Sequence, residues 1–272
     1  MTALIIFTDL DGTLLNTEDY SYDAALPVLN RLKSACIPVV PVTSKTRAEV
    51  AALIHEVGLT DPFVVENGSA IYLPRETCPF ELPAGEDQGD YRVIPLGVPY
   101  VMARAGLKAI AQEIGRPLKG FGDLSPLQVQ QLTGLELQDA QQAKMREFTE
   151  PFLTPKNTPP EKLTAAVEDM GFRVVVGDRF SHLIGPEAGK GTAVHQLVEL
   201  YRSTLPEGET IQTLGLGNSP NDLDMLENVD RAIVLPGPAG PHPQLAERGW
   251  QIAPQPAPEG WATAVTQVVD AL

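Results

Sequence analysis

The sequence predicts an α/β protein with a Rossmann-like parallel-sheet core and an inserted α+β domain. Apolar runs rich in Val and Ile alternate with amphipathic helical patterns at both ends of the chain. Polar residues capable of chemistry directly follow several of these runs, whereas the middle of the chain groups its strands and helices instead of alternating them. With 272 residues, the chain is long enough to build two hydrophobic cores.

The first and last thirds of the chain contain the alternating elements. The first third has predicted strands at 3–8, 37–43 and 63–65, and predicted helices at 22–34, where Pro27 could introduce a kink, and at 45–57. The last third has predicted helices at 191–201 and 221–227, strands at 211–216 and 232–235, and a final helix after 260. Strands that alternate with helices form parallel sheets, which bind ligands at the carboxyl ends of their strands.

The middle of the chain reads as a separate module. Its predicted strands are 91–97, 147–153, 172–176 and 180–184, and its predicted helices are 102–114, 125–144 and 160–170. We therefore divide the chain into a first core part at 1–83, an inserted domain at 84–178 and a second core part at 179–272.

Charge and cysteine content limit the class of partner. The chain has 35 acidic and 20 basic residues, and its net charge of −15 disfavours nucleic acid and anionic membranes as partners. No stretch approaches the roughly 20 apolar residues of a membrane span, and the amino-terminal segment lacks the basic region of a signal peptide. Cys36 and Cys78 are far apart in the sequence and read as two reduced thiols. We expect a cytoplasmic protein that binds a small molecule; the sequence indicates no oligomeric state.

The segment FTDLDGTLL places Asp9 and Asp11 at the end of the first predicted strand. Alone, such a pair would read as a turn or a helix cap. Three other segments change that interpretation, namely VVPVTSKTR, PEAGKGTA and GLGNSPNDLDML. A carboxylate such as Asp9 can take up a phosphoryl group, and Asp11 can give a proton to the leaving alkoxide. Thr43 can hydrogen-bond the transferred group and Lys190 can neutralise its charge.

The last of these segments predicts a metal site. Asp222 and Asn218, together with the aspartates of the first strand, offer the oxygen ligands that Mg²⁺ prefers. Asn218 also suits a simple turn, which is the competing interpretation of that residue.

This ordered set of motifs resembles the haloacid dehalogenase-like phosphatases. The resemblance implies that Asp9 is the nucleophile, Asp11 the acid/base, Thr43 a phosphoryl contact and Lys190 the charge neutraliser. It also implies a Mg²⁺ site formed by Asp9, the main-chain carbonyl of Asp11, Asn218 and Asp222, and a cap of the C2B type. The family usually has aspartate where this chain has Asn218, so the resemblance predicts either weaker Mg²⁺ binding here or a Mg²⁺ ion that depends more on Asp9 and Asp222.

Further segments narrow the resemblance to the mannosyl-3-phosphoglycerate phosphatases. These segments are PVTSKTRAEV, DPFVVENGSAIYLP, KMREFTEP and GDRFSHL. The resemblance implies a substrate that carries a phosphate, a carboxylate and a hexose, and hydrolysis to mannosylglycerate, a compatible solute. The candidate substrate-binding residues are Ser44, Lys45, Arg47, Glu66, Asn67, Gly68, Arg146, Glu147, Arg179, Ser181 and His182.

Each of these residues also has a structural interpretation. Lys45 and Arg47 could lie on a solvated first helical turn, Arg146 and Glu147 could form a surface ion pair, and His182 could be a core histidine. Asn67 and Gly68 could be no more than a hairpin turn.

Several related functions remain open at this point. A glucosyl-3-phosphoglycerate phosphatase differs in one sugar hydroxyl, whereas a sucrose-phosphate phosphatase has no carboxylate to bind. A phosphomannomutase shares this branch of the fold. A non-catalytic sugar-phosphate sensor is the alternative from another functional class. The presence of Asn218, where the family usually has aspartate, is the observation that allows this alternative.

Overall fold

The computed structural model describes residues 2–155, 158–176 and 180–272. The strands, in chain order, are β1 (Thr2–Thr8), β2 (Val39–Pro41), β3 (Phe63–Val65), β4 (Ala70–Pro74), β5 (Glu86–Gln88), β6 (Tyr91–Pro95), β7 (Glu150–Leu153), β8 (Arg173–Val176), β9 (Phe180–Ile184), β10 (Thr210–Gly217), β11 (Arg231–Val234) and β12 (Gln251–Ile252). The helices are α1 (Leu26–Ser34), α2 (Arg47–Val57), α3 (Tyr100–Glu113), α4 (Pro126–Thr133), α5 (Leu137–Ala143), α6 (Pro160–Asp169), α7 (Lys190–Arg202), α8 (Leu223–Leu226), α9 (Pro243–Ala246) and α10 (Glu259–Val269).

The core sheet is parallel, in the order β12-β11-β10-β1-β2, and a bridge between Val42 and Val64 attaches β3 beyond β2. Side chains of β1 alternate between two buried clusters, with Leu4 and Ile6 on one face and Ile5 and Phe7 on the other. Helices α1, α2 and α10 pack on the first face, and α7 and α8 on the second. Because both faces are covered, the strand ends are the accessible part of this sheet.

Two antiparallel sheets complete the fold. One has the order β3-β4-β6-β5 and extends from the edge of the core. The other has the order β7-β9-β8, and helices α3 and α6 cover it through a third apolar cluster that includes Leu107, Leu163 and Phe152. We call this last sheet and helices α3 to α6 the cap.

Strand pairing places the edges of the cap differently from the predicted division at 84 and 178. Strands β5 and β6 lie inside that range, yet β6 pairs with β4 along its whole length. Strand β9 lies after residue 178, outside the predicted inserted domain, yet it pairs with both β7 and β8. We therefore propose edges near residues 96 and 185. There the two linkers run side by side, since a Cβ on Gly185 would lie 2.9 Å from the main-chain nitrogen of Val98.

Local signals explain where several helices begin and end. Pro27 lies in the first turn of α1, where proline fits, and so starts the helix instead of kinking it. Helix α2 begins after Thr46, whose side chain forms a reciprocal capping box with Glu49. The predicted helix 125–144 is divided into α4 and α5 by Gly134, which adopts a left-handed φ of 82°. None of the described helices combines the length and the apolar character needed to cross a membrane.

Candidate active site

The site lies at the carboxyl ends of the parallel strands. Asp9 directly follows β1, and its main-chain N–H donates to the carbonyl of Leu216 on the neighbouring strand β10 at 2.9 Å. Lys190 is the first residue of α7, and Asp222 follows β10 through a short turn. Residues 9, 190 and 222 are far apart in the sequence, and the parallel topology brings them to one edge of the sheet.

Lys190 joins two carboxylates in the interior of the site. Its Nζ donates to Asp9 Oδ1 at 2.8 Å and to Asp222 Oδ1 at 2.7 Å, and all three side chains are buried. Burial alone would lower the pKa of Lys190, but Asp222 and Asp9 outweigh it and raise that pKa. Lys190 is therefore held as a cation beside Asp9, where a transferred phosphoryl group would place its negative charge.

Burial raises the pKa of Asp9 to about 7, and the neighbouring Asp222 adds to the increase, while Lys190 opposes it. The pKa of Asp9 rises because burial is the largest of these effects and because Lys190 shares its charge between two carboxylates. Further positive charge at the site would favour the ionised form of Asp9, which is the form that can attack phosphorus.

Asp222 organises the loop that follows β10. Its Oδ2 accepts the main-chain N–H groups of Asn218 at 2.9 Å and Ser219 at 3.0 Å, while Oδ1 accepts the Lys190 ammonium. Both oxygens are thus engaged by the protein. The role of Asp222 as a direct metal ligand stays a prediction, and these contacts support a positioning role.

The remaining oxygens near Asp9 fit a hard cation. Asp11 Oδ1 and Asn218 Oδ1 are buried acceptors that no donor of the described residues reaches. Gly12 has a left-handed φ of 74°, and a Cβ there would lie 2.3 Å from Asn218 Nδ2, so only glycine lets this amide approach the main chain. Within the described residues no three His, Cys, Asp or Glu side chains converge as a metal-ligand group. A Mg²⁺ site here would therefore draw on the amide of Asn218 and the carbonyl of Asp11 in addition to Asp9.

Lys45 is paired with the predicted acid/base residue. Its Nζ lies 3.0 Å from Asp11 Oδ2 and 3.8 Å from Glu49 Oε1, and only 14% of its side chain is exposed. Lys45 was predicted to bind substrate, and that role stays a prediction; the structure shows it positioned to orient Asp11.

The loop after β3 connects three strand ends. Asn67 donates its main-chain N–H to the carbonyl of Thr43 at 2.9 Å, and its side-chain oxygen accepts from Asn221 at 3.2 Å. Gly68 packs so closely that a Cβ would lie 2.0 Å from the carbonyl oxygen of Gly189, which precedes Lys190. The structure thus places Asn67 and Gly68 against the loops that carry the predicted catalytic residues. Thr43 is buried, and its hydroxyl accepts the main-chain N–H of Lys45 at 3.2 Å.

Glu66, predicted to bind substrate, instead holds the cap. Its carboxylate is fully buried and accepts the main-chain N–H groups of Glu147 at 2.8 Å, Phe148 at 3.3 Å and Thr149 at 2.8 Å, together with the Thr149 hydroxyl at 2.7 Å. These bonds turn residues 147–149 away from strand pairing. Consequently β7 begins at Glu150 and not at 147 as predicted.

Three more predicted pocket residues lie at the same junction. Arg47 of the core donates to Glu147 of the cap at 2.9 Å, and Arg146 Nη1 donates to the carbonyl of Ser44 at 2.7 Å. The interpretation of Arg146 and Glu147 as partners of each other is wrong, because each binds the core instead. The Arg146 contact ties the cap directly to the loop that carries Thr43.

Successive side chains of β9 point to opposite faces, so the predicted residues Ser181 and His182 lie on different sides of the strand. His182 and Phe180 share one face, and both line the cavity above Asp9. Ser181 points the other way, is buried, and its hydroxyl lies 2.8 Å from that of Thr154, so it is not among the residues that line the cavity. Arg179 lies outside the described residues.

A cavity of about 460 Å³ opens above Asp9 between core and cap. Its lining includes the predicted residues Asp9, Asp11, Ser44, His182 and Asn218. It also includes Thr17, Tyr20, Thr133, Phe180, Ser219 and Asn221, which were not predicted. Alternation with His182 could have indicated Phe180, and Ser219 and Asn221 stand inside a recognised segment, but no motif marks Thr17, Tyr20 or Thr133. A similarly large cavity of about 430 Å³, lined by Leu4, Ile37, Tyr201 and others, lies at the opposite end of the sheet.

Comparison with known proteins agrees with this geometry. Residues 6–83 match the family described as haloacid dehalogenase-like hydrolase. A glucosyl-3-phosphoglycerate/mannosyl-3-phosphoglycerate phosphatase of Persephonella marina is 38% identical over 267 residues, which is 98% of this chain and 97% of the relative. The chain belongs to the haloacid dehalogenase-like hydrolases.

One further relative supports this family assignment, and one solved structure supports the fold. A mannosyl-3-phosphoglycerate phosphatase of Pyrococcus furiosus is 35% identical over 85% of this hydrolase and 90% of the relative. A solved subclass IIB sugar phosphatase of the superfamily matches with a TM-score of 0.69 at 12% identity, covering 98% of this hydrolase and 99% of that chain. At that identity the match supports the fold alone, and it confirms the predicted α/β core with an inserted cap.

Proposed function

We propose that this hydrolase removes the phosphate from mannosyl-3-phosphoglycerate to give mannosylglycerate, using Mg²⁺ and a phosphorylated Asp9. The observation that carries the proposal is the Asp9–Lys190–Asp222 chain of ion pairs, in which Asp9 lines a cavity that Asp11 also lines. The names of the relatives supply the substrate class. Cys36 and Cys78 are free thiols, which suits a reducing compartment, and we place the activity in the cytoplasm.

The first step is phosphoryl transfer to Asp9. A carboxylate oxygen of Asp9 forms a bond to phosphorus as the bond from phosphorus to the glycerate oxygen breaks. Asp11 donates a proton to that leaving oxygen, and Lys190 offsets the charge between nucleophile and phosphoryl oxygens.

The second step is hydrolysis of the aspartyl phosphate. A water oxygen bonds to phosphorus and the bond to Asp9 breaks, while Asp11 takes a proton from that water. Asp9 returns as a carboxylate beside Lys190, and inorganic phosphate leaves. When bound near Asp9, Asp11 and Asn218, Mg²⁺ supplies charge stabilisation for the transferred group.

The glucosyl ester is the second candidate substrate. The Persephonella marina relative and a Methanococcoides burtonii relative, 38% identical over 97% of this chain, carry both the glucosyl and mannosyl names. The two sugars differ in one hydroxyl, so one cavity can accept both. Sucrose phosphate, the mutase reaction and a non-catalytic sensor rank lower, because the Persephonella marina, Methanococcoides burtonii and Pyrococcus furiosus relatives are all named as phosphatases that act on a glycosyl-3-phosphoglycerate.

The test is phosphate release with Mg²⁺ from mannosyl-3-phosphoglycerate, glucosyl-3-phosphoglycerate and sucrose-6-phosphate, compared by kcat/KM. Asp9→Asn serves as the blank, since its amide cannot form the acyl phosphate, and its turnover should be abolished. The expected result is rapid release from one or both glycerate esters. Release from sucrose-6-phosphate alone would show that the substrate is a sucrose phosphate and not a glycerate ester. Tight binding of every ester without phosphate release would favour the non-catalytic sensor.

A further inference from the structure

Two aromatic side chains face the catalytic cavity from different parts of the molecule. Tyr20 belongs to the core, in the loop that follows Asp9 and Asp11, whereas Phe180 begins strand β9 of the cap. Both line the cavity that contains Asp9 and Asp11. The chemistry of phosphoryl transfer uses neither ring.

Tyr20 is held in an unfavourable backbone conformation. Its φ is 57°, in the left-handed region that bulky residues rarely adopt, and its side chain stays 39% exposed. The ammonium of Lys45 lies 5.0 Å from the centre of its ring, and the same ammonium is bound to Asp11. The ring is thereby held beside the ammonium group that binds the predicted acid/base residue.

Phe180 is fixed from the other side. Its ring packs edge-to-face on Phe121, with centroids 5.0 Å apart and an angle of 87° between the planes. The guanidinium of Arg146 lies 6.0 Å from the Phe121 ring and also binds the carbonyl of Ser44. The position of Phe180 therefore depends on the same contacts that attach the cap to the core.

We propose that Tyr20 and Phe180 form an aromatic clamp for the hexose ring of the substrate, an inference that rests on the proposed function. A pyranose has apolar C–H faces, which pack on the electron-rich faces of aromatic rings, and a polar rim of hydroxyls. Thr17, Thr133 and His182 line the same cavity and offer partners for that rim. One ring comes from each part of the protein, so the clamp is complete only when the cap covers the core.

The experiment separates the sugar from the phosphate by using two partial ligands. Mannosylglycerate carries the hexose without the phosphate, and 3-phosphoglycerate carries the phosphate without the hexose. Binding of each, with Mg²⁺ present, is measured by calorimetry for the unaltered protein and for Tyr20→Asn, Tyr20→Phe and Phe180→Leu. Asparagine is chosen because it tolerates a positive φ. Tyr22→Asn is the matched control, since Tyr22 lies two residues further along and its hydroxyl donates to Glu56 at 2.9 Å.

Tyr20→Asn and Phe180→Leu should each weaken mannosylglycerate binding about tenfold, the loss expected for one aromatic contact. Binding of 3-phosphoglycerate should stay nearly unchanged, and Tyr20→Phe and Tyr22→Asn should behave like the unaltered protein. Equal losses for both ligands, unchanged mannosylglycerate binding in Tyr20→Asn, or no mannosylglycerate binding to the unaltered protein would overturn the clamp. Failure of the proposed function would appear separately, as absence of phosphate release from the glycosyl esters.

Discussion

Replacement of Glu66 by glutamine tests whether this buried carboxylate attaches the cap to the core. Glu66 accepts four hydrogen bonds from residues 147–149, at distances from 2.7 to 3.3 Å. In Glu66→Gln the amide oxygen can keep the donors now bound by Oε2, but the NH₂ group then faces the N–H of Glu147. One charge-assisted bond is lost, the other three bonds keep only a neutral acceptor, and two donors, the N–H of Glu147 and the NH₂ group, face each other.

The expected magnitude follows from two opposing contributions. Loss of a hydrogen bond to a charged group costs roughly 1.5–3 kcal/mol, and an unsatisfied buried donor adds to that cost. Burial raises the pKa of Glu66, against the lowering effects of Arg146 and the cap donors, so the ionised carboxylate itself carries a desolvation cost that the amide avoids. We expect a net loss of about 1–3 kcal/mol, which corresponds to roughly 5- to 150-fold faster opening of the junction.

Hydrogen exchange of the amides at 147–149, followed by mass spectrometry, measures this opening directly. Glu147→Gln is the matched control at the same junction, because it breaks the Arg47–Glu147 pair, whose side chains are 42% and 29% exposed. A partly exposed pair of this kind contributes about 0–1 kcal/mol. If Glu66→Gln exchanged no faster than Glu147→Gln, the attachment would not depend on Glu66 and the reasoning would be refuted.

Three further predictions concern the site itself. Asn218→Asp should lower the Mg²⁺ concentration needed for half-maximal activity, by about tenfold, since it adds a negative ligand; an unchanged metal titration would place Asn218 outside the metal site. Lys190→Met should lower the free energy of unfolding by about 3–5 kcal/mol in chemical denaturation, because Asp9 and Asp222 lose their shared cation, and a loss below about 1 kcal/mol would contradict this. Burial, followed by Arg146 and Lys190, lowers the pKa of His182 to about 3. Below about pH 6.5 the unfolded chain therefore binds a proton that the folded imidazole does not. As the pH is lowered to 5, the free energy of unfolding should decrease by about 1–2 kcal/mol. His182→Gln should remove that part of the decrease, and an identical decrease in both proteins would contradict the assignment.

Much of the fold could be predicted from the sequence. Apolar runs buried on both faces predicted β1, β2, β10 and β11, and the residues at their ends predicted where the site would lie. Errors arose where a long-range contact overrode a local pattern. Residues 147–149 have strand-like character, yet their N–H groups bind Glu66, which is about 80 positions away in the sequence. The proposed edges of the cap differ from the predicted division for the same reason, because we assign β6 and β9 by their pairing partners and not by their composition.

The predicted substrate-binding residues fall into two groups, those that line the cavity and those that connect the cap to the core. Ser44 and His182 line the cavity, whereas Glu66, Arg47, Arg146 and Glu147 bind across the junction of cap and core. Residue type alone does not separate these outcomes, because a carboxylate or guanidinium suited to a sugar or an anion is equally suited to a main-chain N–H or C=O group.

The sequence by itself determined the reaction chemistry that we propose, because Asp9, Asp11, Lys190 and Asp222 stand in ordered, specific motifs whose spacing is local. Only the tertiary structure decided which polar residues face the ligand and which attach the cap, and it alone brought Tyr20 and Phe180 to one cavity. The physical reason is that a motif specifies groups on one short segment. A pocket wall, by contrast, forms where segments distant in the chain meet, and that meeting depends on the packing of the whole fold.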